Sequence, residues 1–284
     1  MRDRIGLALL AVALLACIGY ATRRAPPRPA PPVRAARPGT GAPDDPAVRR
    51  TLAEVGEMRA LRRGRAIAAG GGGDADYVRS FERAGGGGES TLAYLEEIAL
   101  DRREDPGLRI DLIDILSRHP GEPTRRFLAE LVGDPEEAES VRLAALAALQ
   151  AYRDEATFEA LRRAFEDPAP FAGRYHLCLA LGENGRPEAV PVLRGAIGPS
   201  RPPEIRRHAA LGLGAFVEDG AVRGELRALA AGDADPFVRQ NAMSALCRSP
   251  LPEVDAFLSE LEASADPATR GLARAFREQR ARRP

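Results

Sequence analysis

The chain has no tryptophan and no lysine, so all 41 of its basic residues are arginine, balanced by 41 acidic ones. Aromatic residues make up only 5% of its 284 residues, and there are three histidines and three cysteines. Each scarcity excludes something. A net charge of zero removes the electrostatic footprint of a nucleic-acid binder, and no partner of that kind is expected. Three cysteines give no disulfide framework, and no CxxC pair suggests a zinc site. Cys178 and Cys247 fall on second helices two repeats apart, too far for the ~7 Å limit of a disulfide, and read as small buried apolar groups. No stretch alternates with period two, so no sheet is expected.

Enzymatic constellations are missing too. There is no HExxH and no GxSxG. The glycine runs 70–73 and 85–88 are not followed by Lys-Ser/Thr, so they read as joints rather than phosphate loops. The adjacent carboxylates Glu96/Glu97 and Glu136/Glu137 are expected to point to different sides or to solvent, and His119, before Pro120, to close a helix. The chain therefore reads as non-enzymatic, with no cofactor and no metal.

What is abundant is alanine and leucine in a repeated word. "DPAVRRTLAEV" begins at Asp45, "DPGLRIDLIDIL" at Asp105, "DPFVRQNAMSAL" at Asp235 and "DPATRGLARAF" at Asp266. An aspartate caps the free amides of a first helical turn, and proline fits the first helical position, where no N–H is needed. Val238, Ala242, Ala245 and Leu246 then fall on one helical face. Following the arginine of the word gives Arg49, Arg79, Arg109, Arg142, Arg174, Arg206, Arg239 and Arg270, in steps of 30, 30, 33, 32, 32, 33 and 31 residues. A second amphipathic segment lies between consecutive words, as in "TLAYLEEIAL" (91–100) and "TFEALRRAF" (157–165). Two helices per period predict an all-α fold, an α-solenoid of helix-turn-helix repeats.

The words "ESVRLAALAALQAY", "PEIRRHAALGLGAF" and "DPFVRQNAMSALCR" resemble the second helix of HEAT repeats of the short bacterial, phycobilisome-lyase-like class. "PFAGRYHLCLALGENG" departs from the pattern at Gly173. The likeness covers about 91–280 and weakens before it, so the expected division is 47–90 as degenerate N-terminal repeats with glycine-rich joints and 91–284 as the solenoid. The resemblance implies that second helices line a concave binding side. It also implies the enzymatic alternatives found among HEAT-like proteins, a bilin lyase or a DNA glycosylase.

The N-terminal segment 1–24 holds an uncharged apolar run over 5–21. Three readings stand: an uncleaved membrane anchor, a lipoprotein signal lipidated at Cys17 in "LLAC", or a signal peptide cleaved after Ala21. All three put the rest of the chain outside the cytoplasm, facing the periplasm or cell exterior. The linker 25–46, with eight prolines, favours extended polyproline II and reaches roughly 70 Å.

Two sets of candidate residues follow. Arg109, Arg142, Arg174, Arg206, Arg239 and Arg270 form a structural ladder, expected to bridge to acidic caps such as Asp233 or Asp235. Two residues past successive ladder positions come His176, His208 and Asn241, beside Tyr175, Arg207 and Gln240. That column is the candidate surface for a protein or peptide partner. The C-terminal "RAFREQRARRP" is read as an Arg-rich final helix turn followed by a frayed tail.

Overall fold

The computed structural model describes residues 45–67, 74–84, 89–169 and 171–282. The apolar segment 1–24 with Cys17, nearly all of the linker and both glycine runs lie outside the described residues. Among the described residues there are fourteen α-helices and no strands, and no helix is long and apolar enough to cross a membrane. The chain divides into two compact units, Met1–Ala151 and Tyr152–Pro284.

In the first unit, α1 (Pro46–Ile67), α2 (Asp74–Ala84) and α3 (Glu89–Leu100) pack together, followed by α4 (Pro106–Ser117), α5 (Glu122–Gly133) and α6 (Glu139–Leu149). The degenerate region thus holds one 22-residue helix, α1, which buries Val48, Thr51, Val55 and Met58 along one side. Here the arginine period loses its structural meaning. Arg49 is exposed on α1, and Arg79 pairs with Asp76 on its own helix. Order returns at α3. Asp105 caps α4 by accepting from the Leu108 N–H, and α4 packs against α6, leaving α3 and α5 as first helices.

The second unit alternates first helices α7 (Glu155–Glu166), α9 (Ala189–Ala196), α11 (Gly220–Gly232) and α13 (Pro252–Leu261) with second helices α8 (Arg174–Asn184), α10 (Pro203–Leu213), α12 (Pro236–Leu246) and α14 (Pro267–Ala281). A 3-10 turn, Gly214–Phe216, extends α10. The caps follow the sequence logic: Asp235 accepts from the Phe237 and Val238 amides, and Asp266 from those of Ala268 and Thr269. Gly185, at φ +79°, ends α8 in the left-handed conformation that glycine adopts without strain. Val238, Ala242, Ala245 and Leu246 are all fully buried.

Within this unit α8, α10 and α12 stack directly on one another. The reason is glycine. A Cβ on Gly182 would lie 2.4 Å from the Gly212 carbonyl oxygen, and one on Gly212 would lie 2.4 Å from that of Cys178. A Cβ on Gly214 would approach Ala245 to 3.0 Å. Backbones therefore touch where other helix pairs interpose side chains. Cys178 and Cys247 are buried beside this seam and not joined in a disulfide, and burial pushes the Cys178 thiol up to about 12.

Of the adjacent pair Glu136/Glu137, Glu136 is exposed while Glu137 is buried against Arg109, so the two point to different sides. The last helix runs through the C-terminal arginines to Ala281. Arg280 donates to both carboxylate oxygens of Asp255, at 2.8 and 2.9 Å, and to the carbonyls of Ser249 and Leu251.

Candidate functional site

The ladder arginines share one geometry. Each reaches back from a second helix to carbonyls at the C-terminal end of the preceding first helix or just beyond it. Arg109 donates to Ala99 O at 2.6 Å, and Arg142 to Val132 O at 3.0 and 3.2 Å. Arg174 takes the carbonyls of Asp167 and Ala169, Arg206 that of Arg201, Arg239 that of Asp233 and Arg270 that of Ser264. A cation there meets the negative end of the helix dipole and satisfies carbonyls that the helix leaves open.

Three of the arginines also reach forward by one repeat. Arg109 forms a two-bonded pair with Glu137 at 2.7 and 2.5 Å. Arg206 does the same with Asp233 at 3.0 and 2.8 Å, and Arg239 reaches Asp266 at 2.9 Å. Asp233 and Asp266 hold their carboxyls below the usual range. For Asp233, burial opposes the shift, but the bonds from Arg206 and the Asp235 amide outweigh it. For Asp266 the Thr269 hydroxyl and amide are the first causes. Arg206, Asp233, Arg239 and Asp266 thus form a relay of charge-assisted bonds across three repeats.

The candidate column lies on α8, α10 and α12. His176 is only 8% exposed, and its Nε2 is buried with no hydrogen-bond partner. The Tyr175 ring stands 4.1 Å from the His176 ring centroid and 4.5 Å from that of His208, while the two imidazoles are 6.3 Å apart. The tyrosine therefore bridges two repeats. His208 Nδ1–H donates to Glu204 O at 2.6 Å, which leaves the lone pair on Nε2. Asn241 donates to Arg207 O at 3.2 Å, tying α12 to α10. Burial first, then the neighbouring His208, pushes His176 down to about 4. Burial also lowers His208, against the pull of the Glu204 carbonyl. At neutral pH both rings are uncharged.

The structure thus brings Tyr175, His176 and His208 into one cluster and links Asn241 to it through the Arg207 backbone. Gln240 stays exposed beside Asn241. One residue of the face was missed. Phe237, 56% exposed, lies one helical turn before Asn241 and on the same side. Its place four residues before a column position was visible in the sequence, but its exposure was not. The Tyr175 ring packs against both imidazoles, and among the described residues no three His, Cys, Asp or Glu side chains converge.

A family model described as HEAT repeats matches residues 169–247 and 199–277, a span that includes α8, α10 and α12. The chain carries HEAT repeats. No curated protein matches it by sequence. Among solved structures, human deoxyhypusine hydroxylase in complex with glycerol is similar at 17% identity, over 84% of this chain and 98% of that one, with a TM-score of 0.37. That score is too low for an argument about shape or chemistry. The HEAT match rests on the repeats alone.

Proposed function

We propose that the protein is a non-enzymatic HEAT-repeat scaffold of the bacterial cell envelope, held at a membrane by its N-terminal segment. It presents the second-helix face of 174–246 to a protein or peptide partner. The observation that carries this reading is the face itself. Tyr175 and His208 pack over the buried His176 across two repeats, Asn241 ties the next repeat to Arg207, and Phe237 is exposed at one end. Aromatic, amide and Arg groups on a rigid support suit recognition, because a rigid surface loses little entropy on binding. The apolar run 5–21 supports the membrane tether, and the proline-rich stretch after it supports a spacer.

The test is capture by crosslinking from envelope extract with the full chain as bait, followed by purification of the captured partner. Replacing His176, His208 and Asn241 together by alanine is expected to weaken capture of that partner while the helical circular dichroism persists. Equal capture by a folded triple variant contradicts the assignment of the face. Recovery of the wild-type chain in a soluble, shortened form contradicts the tether.

A further inference from the structure

We propose that the seam between α8 and α10 is an acid-sensitive latch, closed while His176 and His208 are neutral and opened locally when they take up protons. This goes beyond the partner-binding reading and needs no partner.

Two features of the same seam carry it. At one end the helices meet through backbone, at Gly182, Gly212 and Cys178. At the other end the two imidazoles sit 6.3 Å apart, and the Tyr175 ring packs against both. Close-packed interfaces yield by switching between arrangements more than by gradual deformation. Two imidazolium charges at that separation repel, and His176 Nε2 has no acceptor to stabilise a proton.

No countercharge compensates within the cluster. The charges that act on the two rings come from α10: His208 on His176, and Arg207 and Glu204 on His208. Arg207 adds to the repulsion, and Glu204 alone opposes it. From α12 the neutral Asn241 bonds to the Arg207 carbonyl. In the α9–α10 connection Arg201 acts on the Cys178 thiol. At the far end of α8, Glu183 is kept protonated more readily by burial, against Arg248 and Arg153.

Burial and mutual repulsion set the order of events, with His176, held at about 4, the harder to protonate. The ladder outlasts this range, because Asp233 and Asp266 keep their charge to lower pH than ordinary aspartates. Opening is therefore confined to the α8–α10 seam while α13 and α14 stay folded.

Hydrogen exchange of the full chain, corrected for the intrinsic pH dependence of exchange, reads this directly. Between about pH 7.5 and pH 4.5, protection in α8 and α10 is expected to fall about tenfold or more, with α13 and α14 unchanged. The double variant His176→Leu, His208→Leu removes both titrating groups and is expected to hold its protection across the range. Unchanged protection in the wild type overturns the proposal, as does an equal loss in the double variant. If the double variant does not fold, NMR titration of the wild-type histidines decides. Imidazoles that titrate near the ordinary histidine value without any change in α8 and α10 protection overturn the latch.

Discussion

The two units solve the same packing problem with different materials. In the first, α4 and α6 bury Leu108, Leu112, Ile113 and Leu116 and Val141, Leu146 and Leu149, so branched side chains keep the helices apart. Their strongest polar tie is Arg109–Glu137, with Arg109 only 1% exposed. In the second unit the corresponding helices touch through Gly182 and Gly212, and the polar ties of Arg206 and Arg239 lie nearer solvent. The difference shows that one repeat word tolerates two kinds of seam. A bulky seam leaves room for a buried ion pair between repeats. A glycine seam draws the second helices together, so side chains at equivalent positions of successive repeats come into contact. Tyr175 reaches His208 for that reason, and the candidate face exists only in the second unit.

Breaking the buried pair is expected to have the largest effect. Arg109→Ala removes both short bonds to the buried Glu137, which keeps only the Ala138 amide and Arg102 at 4.0 Å, and is expected to cost about 3–5 kcal/mol by chemical denaturation. Replacing both partners, Arg109→Met with Glu137→Leu, is expected to recover most of that loss, since a desolvated pair is worth little more than a well-packed apolar one. Failure of the double variant to recover would show that the carbonyl bond to Ala99 is the important one.

Next comes the glycine seam. Gly212→Ala places a methyl against the Cys178 carbonyl and is expected to cost about 1–3 kcal/mol through forced helix separation. Gly224→Ala, on α11 with nothing within 4 Å of the added Cβ, is expected to stabilise by about 0.5–1 kcal/mol. Opposite signs in thermal melts would sharpen the contrast between close approach and mere helix propensity.

The shallower ladder follows. Arg206→Ala is expected to cost about 1–3 kcal/mol. Arg239→Ala should cost less, since its carboxylate partner Asp266 is more open to water. Melts indistinguishable from wild type for both would remove the relay from the account.

Acid gives the smallest of the destabilising effects. The folded state depresses the pKa of His176 below that of an unfolded histidine. Its contribution is therefore complete above about pH 6.5 and is lost as pH falls toward about 4, at a total of about 1–2 kcal/mol after allowing for solvent screening. Denaturation midpoints over that window, compared between wild type and His176→Leu, check the sign.

The helices of 91–282 were legible in the sequence because caps, period and apolar spacing agree there. Asp105, Asp235 and Asp266 cap where the words begin, and the arginines fall on equivalent turns. Before residue 90 the arginine period continued while the structure changed, since a spacing of 30 residues does not by itself make a helix pair. Glu137 escaped because its neighbours Glu136 and Glu139 give it the look of a solvated cap, and only the depth of Arg109 reveals its burial. Arg280 escaped because its acceptors, Ser249 and Leu251, lie some thirty residues back in the chain. The column of His176, His208 and Asn241 could be read by counting. The bridging tyrosine could not, because it depends on how close glycine lets α8 and α10 come.

The most direct test of this two-seam account is segment-resolved hydrogen exchange on Arg109→Ala and Gly212→Ala side by side at neutral pH. The account predicts that Arg109→Ala loosens α3–α6 and spares α10–α12, while Gly212→Ala loosens α8, α10 and α12 and spares α4–α6. If both variants loosen the same segments, the two units are not held by separate means, and the link between the glycine seam and the candidate face is wrong.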